Sequence, residues 1–415
     1  MSLSAKLQLA RMFARLVGRV PLGHLAYLAR QLRNEKPHLW AGQLRINSFF
    51  PPFPSTAFDR FVEATAARQR VPYSAYLAVT GACPYRCPHC SYARRRPGGL
   101  PLKKLLAVIG EAKALGTATL GLTGGEPLLR DDLEEVIAAA GPQMATVLFT
   151  TGHGLDASRA ARLAAAGIAN VTVGLESADP AEHDRVRGGY VKGSGALRLK
   201  APDPLLSDGA GSFEEARAAV AACRSCGVYA ALSTIGTPAK LENGDLERMY
   251  ALAAEWGAQE LRILPPVATG GWAGRRGVML TPETRAALGR FHAAHNRRPG
   301  GPAVAAIPYL ESAEMFGCGA GYHHLFIDAT GEVCPCDLAP LSFGNSSDEP
   351  LAAIWARMGA RFPQARCECL MKGLAEKVAA ETLPLPRARS EALCPAMPPA
   401  APMPEVYRRL FGQPR

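Results

Sequence analysis

The sequence predicts an α/β protein built on a partial (β/α)6 barrel, and three observations lead there. Short apolar runs alternate with helical patterns from Val71 to about Val267, which is the signature of parallel βα units. Six runs recur at a spacing that fits a barrel of the TIM type. Directly after the first run, "GACPYRCPHCSY" (residues 81–92) sets Cys83, Cys87 and Cys90 in one loop. In such barrels chemistry sits at the C-terminal strand ends, where loops converge, and the triplet falls at that end.

The elements follow in order. Residues 3–32 read as two short helices broken at Pro21, because Leu, Met, Phe and Val recur at helical spacing. Arg11, Arg15 and Arg19 give them a basic stripe. A helix of this kind either packs on its own protein, the reading favoured here, or makes a peripheral membrane contact through residues 1–33. "FFPPFPSTAF" is a proline-stiffened connector that completes an N-terminal segment over 1–70.

The barrel core spans 71–270, with candidate strands "AYLAVT", "TATLGLTGG", "ATVLFTTG", "NVTVGLES", "VYAALSTIG" and "ELRILPPVA". Stretches such as "LKKLLAVIGEAKALG", "DDLEEVIAAA" and "EEARAAVAACRSCG" supply helices between them. A Gly, Ser and Pro-rich segment over 190–212 is too long for an ordinary loop and reads as a flexible insertion, either a lid or an excursion without function. Beyond Trp272 the alternation stops: 271–310 is a linker with one helix, 311–375 carries cysteines, and 376–415 is a tail rich in Pro and Ala.

Composition bounds the surroundings. The net charge of +11 favours anionic partners without choosing among them. There is no secretory pattern at the start and no apolar run of ~20 residues, so a cytoplasmic protein is expected, at most peripheral at the inner face of the membrane. Thiols stay reduced there, so eleven clustered cysteines point to metal ligation before disulfides.

Thiolates are soft ligands suited to iron–sulfur clusters, and a four-iron cluster has four irons to cap. Three cysteines leave one iron open, whereas structural zinc would need a fourth ligand. The spacing Cys83-x3-Cys87-x2-Cys90 after a first strand resembles the signature of the radical S-adenosylmethionine (SAM) superfamily. The resemblance implies that the open iron chelates the methionine moiety of SAM and that reductive cleavage gives a 5′-deoxyadenosyl radical. It places His89 against the adenine, where relatives carry an aromatic residue. "TGGEP" ends the second strand and resembles the GGE motif, so Gly124, Gly125 and Glu126 are expected to receive the SAM amino group. The same resemblance puts Glu176 and Ser177 near the ribose and Arg187 on the SAM carboxylate, with Ser233 and Thr234 as weaker candidates.

A second set begins at Cys318, runs through a hairpin with its turn near Thr330 and Gly331, and reaches Cys334, Cys336, a "GN" turn and an "IW" helix over 351–358. This resembles the SPASM/twitch extension of radical SAM enzymes, in which such parts support an auxiliary 4Fe–4S cluster. Expected ligands are Cys318, Cys336, Cys367 and Cys369, with Cys334 and Cys394 as alternates; zinc is the competing occupant. Cys223 and Cys226 read as packing residues, His292 and His295 lack a third ligand, and His323 or His324 could face substrate or tune the cluster.

The expectation is a radical SAM oxidoreductase or modifying enzyme drawing electrons from a flavodoxin or ferredoxin. A lipid or small-molecule substrate is favoured, since the chain starts on a basic amphipathic segment and 1–70 lacks the strand and helix pattern of a leader-binding module, and no nucleic acid is expected. A peptide maturase of the same superfamily is the alternative, ahead of a non-catalytic electron carrier or sensor. No catalytic side chain is assigned.

Overall fold

The computed structural model describes residues 2–188, 211–378, 382–394, 396–398 and 401–413. The expected insertion over 190–212 lies outside these, apart from Gly211 and Ser212. The strands are β1 (His38–Trp40), β2 (Gln43–Arg45), β3 (Ser74–Thr80), β4 (Thr119–Gly124), β5 (Ala145–Thr150) and β6 (Asn170–Gly174). They continue with β7 (Ala230–Ile235), β8 (Glu260–Leu264), β9 (Ala303–Ala306), β10 (His324–Ile327) and β11 (Val333–Cys334). β1 and β2 form a separate hairpin, and the other nine strands make one sheet in the order β11-β10-β3-β4-β5-β6-β7-β8-β9.

The six expected strands are β3 to β8, paired in parallel and in sequence order. A parallel pair needs a long crossover, and the apolar face of each intervening helix covers the sheet. Helix Leu102–Ala114, for example, buries Leu105, Val108, Ile109 and Ala112 against it. Inside the curved sheet Tyr76 lies over Gly121, where a Cβ would meet the ring at 2.4 Å, so the tyrosine fills space that the glycine vacates.

Two parallel strands extend the sheet beyond the sequence reading. β9 joins β8 from within the expected linker; four residues rich in alanine carry too little strand signal to be seen. β10 joins β3, from His324 opposite Ser74 to Ile327 opposite Leu77. The C-terminal hairpin of β10 and β11 therefore continues the barrel sheet.

The N-terminal helices are Leu3–Ala14 and Leu22–Gln31, with Pro21 capping the second. The first buries Ala5 and Met12 in a cluster with Leu44, Phe53 and Phe58; the second buries Leu25 near Val406 and Leu410 of the tail. Leu3, Leu7, Val17 and Leu22 are exposed. Among the described residues no helix is long and apolar enough to cross a membrane.

Buried polar groups fasten these parts to the barrel. Glu260, fully buried at the start of β8, accepts from the Ser48 backbone N–H (2.7 Å), the Ser48 hydroxyl and Tyr229 Oη (3.3 Å). His292 accepts the Ala306 N–H at Nδ1 (3.2 Å), which leaves Nε2 facing Glu35 Oε1 (3.2 Å) as donor. His292 and His295, which lies 2.9 Å from Glu247, thus serve separate tertiary contacts.

Candidate active site

The triplet loop leaves the top of β3 and is held from two sides by glycine pairs. On one side the Gly125 N–H donates to Thr80 O and the Glu126 N–H to Ala82 O, both at 2.7 Å. A Cβ on Gly124 would stand 2.3 Å from Thr80 O, and one on Gly125 would stand 1.9 Å from Ala82 O. These glycines are required first by the approach of the cysteine loop itself. On the other side the Gly271 N–H donates to Cys90 O (3.0 Å), and a Cβ on Gly270 would come within 2.2 Å of the same oxygen. Gly125→Ala is therefore expected to cost about 1–3 kcal/mol of stability by overpacking and to lower iron retention at the triplet. Gly110→Ala, in open helical space, is expected to stabilise by up to about 1 kcal/mol. Denaturant midpoints and iron content of the reconstituted variants check both.

Glu126 is fully buried, and its carboxylate already accepts four hydrogen bonds. Oε1 takes the Leu128 N–H (3.0 Å) and Thr150 Oγ1 (2.7 Å); Oε2 takes the Thr151 N–H (2.7 Å) and Thr151 Oγ1 (2.6 Å). The side chain ties the end of β4 to the end of β5, and what the motif turns to the cavity is Thr123 and the backbone of Gly125. Thr150 and Thr151, which complete this arrangement, were missed in the sequence because isolated threonines at strand ends carry no signal.

Glu176 stands 3.3 Å from His89 Nε2 and 3.6 Å from Arg187 Nη2. Burial opposes its ionisation, but the His89 hydrogen bond and the Arg187 and Lys240 charges outweigh it and hold the carboxyl well below the usual carboxylate range. Arg187 is 3% exposed and also donates to Gly174 O (2.8 Å). The Cys87, His89 and Glu176 donor atoms all lie within 4.8 Å of one another, so β6 reaches the cysteine loop. Ser177 departs from expectation: its hydroxyl donates to Asp245 Oδ1 (3.3 Å) and caps the Asp179 N–H (3.1 Å), away from the cavity. β6 ends at Gly174, so both residues lie in the loop beyond it, where Ser177 turns toward Asp245 at the start of the helix Asp245–Trp256.

Sequence reasoning also missed Trp272, Lys240 and the Tyr85 set. Trp272 lies 5.6 Å from His89 between ring centroids, and the preceding Gly-Gly pair was its available signal. Lys240 donates to Thr234 Oγ1 (2.7 Å), and Thr234 and Ser233 both line the cavity. Tyr85, between two triplet cysteines, donates to Glu215, which also faces His153 Nδ1 at 3.1 Å.

The second cysteine set divides in two. Cys318, Cys336, Cys367 and Cys369 line the same cavity as the triplet. Cys318 and Cys369 act on each other: the neighbouring thiol lowers Cys318 despite burial, and the pairing together with burial raises Cys369. Cys334 instead packs with Ala78, Phe326 and Ala329 and accepts from Arg95 Nη1 at 3.8 Å, while Cys394 lies in the apolar core. Arg95 also meets Asp328 Oδ2 at 3.6 Å, with the two side chains 0% and 1% exposed, so the segment after the triplet is locked to the hairpin. His323 Nδ1 shares a hydrogen bond with Tyr407 Oη (2.6 Å); His324 bonds Ser74 Oγ (2.7 Å) and stands 3.5 Å from Asp337. Glu311, also on the cavity wall, is pushed up to about 8 by burial and by the Cys318 and Asp337 charges. Cys223 is buried in the core and Cys226 contacts Ala157 O (3.5 Å), both away from the cavity.

One cavity of about 1600 Å³ joins the triplet, His89, Glu176, Arg187 and Trp272 to Cys318, Cys336, Cys367 and Cys369. All eleven cysteines are free thiols. Burial pushes Cys83 and Cys87 up to about 12 and raises Cys90 as well, so the triplet is a poor set of thiolates until a cation joins it. Soft donors on one cavity wall without a disulfide fit an iron–sulfur cluster, and the four cavity-lining C-terminal thiols fit a second.

Comparison with known proteins agrees with this donor chemistry. Residues 77–253 match the Radical SAM superfamily and residues 318–372 the iron–sulfur cluster-binding SPASM domain. The chain is 31% identical over 307 residues to the PqqA peptide cyclase of Ruegeria pomeroyi, covering 71% of this chain and 76% of the relative. This chain is a radical SAM enzyme with a SPASM domain. The PqqA peptide cyclase of Streptomyces rochei is 30% identical over 301 residues, 68% of this chain and 75% of that one. Among solved structures, Streptococcus suis SuiB bound to precursor peptide SuiA superposes with a TM-score of 0.54 at 14% identity, over 81% of this chain and 80% of that one. Native anSMEcpe with bound AdoMet gives 0.51 at 15% identity, over 82% and 98%. At these identities the likeness is one of fold.

The cofactors of this radical SAM enzyme are SAM and 4Fe–4S clusters. The expected lipid or small-molecule substrate is corrected, because the sequence relatives are named for action on a peptide. That expectation leaned on the amphipathic start, which instead contributes Met12, Phe13 and Leu16 to the cavity wall. It also leaned on a missing leader-binding module, which says nothing about what the cavity itself accepts.

Proposed function

We propose that this radical SAM enzyme forms a bond within a peptide. The observation that carries the reading is the single cavity reaching from the cysteine triplet to the SPASM thiols. At about 1600 Å³ it exceeds the ~300–1,000 Å³ usual for one small ligand. It has room for SAM and for a chain segment beside it. The two relatives at 30% and 31% identity, both PqqA peptide cyclases, support the same substrate class.

In this reading Cys83, Cys87 and Cys90 hold the cluster that binds SAM, and Cys318, Cys336, Cys367 and Cys369 hold the auxiliary one. With SAM bound, the barrel cluster would supply the one-electron cleavage to a hydrogen-abstracting 5′-deoxyadenosyl radical, and the auxiliary cluster would accept the second electron as the peptide's second hydrogen leaves as a proton. The protein's own part is orientation. Arg187 presents a buried cation to the SAM carboxylate, and Glu176, kept anionic, accepts from a SAM hydroxyl or ammonium. Gly124 and Gly125 bring the β4 backbone close, and His89 and Trp272 offer ring faces.

The test is anaerobic turnover of the reconstituted enzyme with SAM, dithionite and a panel of short ribosomal peptides, the PqqA peptide included. Mass spectrometry should find a peptide lighter by two hydrogen atoms, with 5′-deoxyadenosine formed in proportion. Deoxyadenosine production that no peptide stimulates and that leaves every peptide unchanged would overturn the reading.

A further inference from the structure

We infer that the cavity mouth along helix Pro282–Arg297 is a docking rim for an acidic segment of the peptide, recognised by Arg33, Arg290 and Arg297. The inference rests on the peptide reading and names the chemistry that peptide carries.

The helix is half wall and half rim. Pro282, Ala286, Arg290, Ala294 and Arg297 line the cavity and are solvent-exposed, so this face marks where it opens. Packed against the C-terminal end of the helix is the short turn Leu32–Asn34, fixed to it by Arg297 Nη2 donating to Asn34 Oδ1 (2.7 Å) and Asn296 Nδ2 to Asn34 O (3.0 Å). Arg33 lies in that turn, exposed and also lining the cavity.

Charge is left unbalanced here. Among the described residues Arg33, Arg290 and Arg297 have no carboxylate partner within ion-pair reach. Arg298, on the outer side of the same helix, meets Glu247 at 3.5 Å. The carboxylates that line the cavity nearby are already engaged: Glu35 by Asn47 and His292, and Glu368 by Lys372 at 2.6 Å. Glu314, also on the lining, forms no ion pair among the described residues, and it is outnumbered by the three arginines.

Geometry adds a spacing. Arg290 and Arg297 are two helical turns apart, about 10.5 Å along the axis. An extended peptide covers that distance in about three residues. Two carboxylates separated by three positions would meet both guanidinium groups, with Arg33 adding a third cation from the turn packed beside them.

The probe is a fluorescein-labelled Gly-Ser decapeptide with two glutamates three positions apart, compared with its glutamine counterpart. Binding to the reconstituted protein is read by anisotropy at low and moderate salt. The glutamate peptide should bind about tenfold more tightly, and salt should erase the difference. Arg33→Glu with Arg290→Glu should abolish the preference, and the milder Arg33→Gln with Arg290→Gln should reduce it. Arg11→Glu with Arg19→Glu, an equal charge change on the exposed N-terminal stripe, should preserve it. Equal affinity for the two peptides, no binding of either, or equal losses in the rim and stripe variants would overturn the inference. Peptide turnover is measured separately, so such a result would leave the peptide reading standing.

Discussion

Replacing Cys83, Cys87 and Cys90 together by alanine is expected to lower bound iron by about four atoms per chain. It should also bring 5′-deoxyadenosine formation to background. The reason is geometric: the three thiols share one loop clamped by Gly125 on one side and Gly271 on the other, so no other cysteine can take their place. The four SPASM thiols lie on another part of the wall and should keep their iron. Iron and sulfide analysis with a deoxyadenosine assay on the same preparation checks both halves. Unchanged iron would mean that the triplet holds no cluster.

Arg95→Met is expected to destabilise the fold by about 3–5 kcal/mol, because it leaves the buried Asp328 carboxylate without its cation. The guanidinium also lies 4.8 Å from the Phe326 ring centroid and 5.5 Å from that of Tyr92, so the cost includes lost packing. Arg95→Met combined with Asp328→Asn should recover much of the loss, since neither charge is then left alone. Chemical denaturation of wild type, single and double variants supplies the cycle. A single-variant change below about 1 kcal/mol would show that Arg95 and Asp328 are not effectively desolvated.

The barrel was legible because six apolar runs alternate with helices at regular intervals, and the triplet because its spacing is rare. Thr119–Gly124 and the helix Leu102–Ala114 before it show how closely the pattern follows the strands and helices. β9 was not legible: four small residues without alternation carry no period. The pairing of β10 with β3 joins residues about 250 positions apart, and nothing local announces it. Site residues divide in the same way. Glu176 and Arg187 were named through the family resemblance and do line the cavity, whereas the Glu126 carboxylate, also expected at the ligand, accepts from Leu128, Thr150 and Thr151. A sequence displays the charge of a side chain but not whether its acceptors are already taken.

The strand pairing between β10 and β3 bears on how this chain can be rearranged. A boundary drawn near residue 310 looks like a natural place to divide catalytic core from extension, yet it would strip β3, the strand that launches the cysteine loop, of one neighbour. The bared backbone would be a sticky edge next to the reactive centre. Chimeras that exchange C-terminal extensions between related enzymes should therefore carry over matching residues on β3, above all those facing His324 to Ile327. Recombination that ignores this register would produce aggregates rather than new specificities.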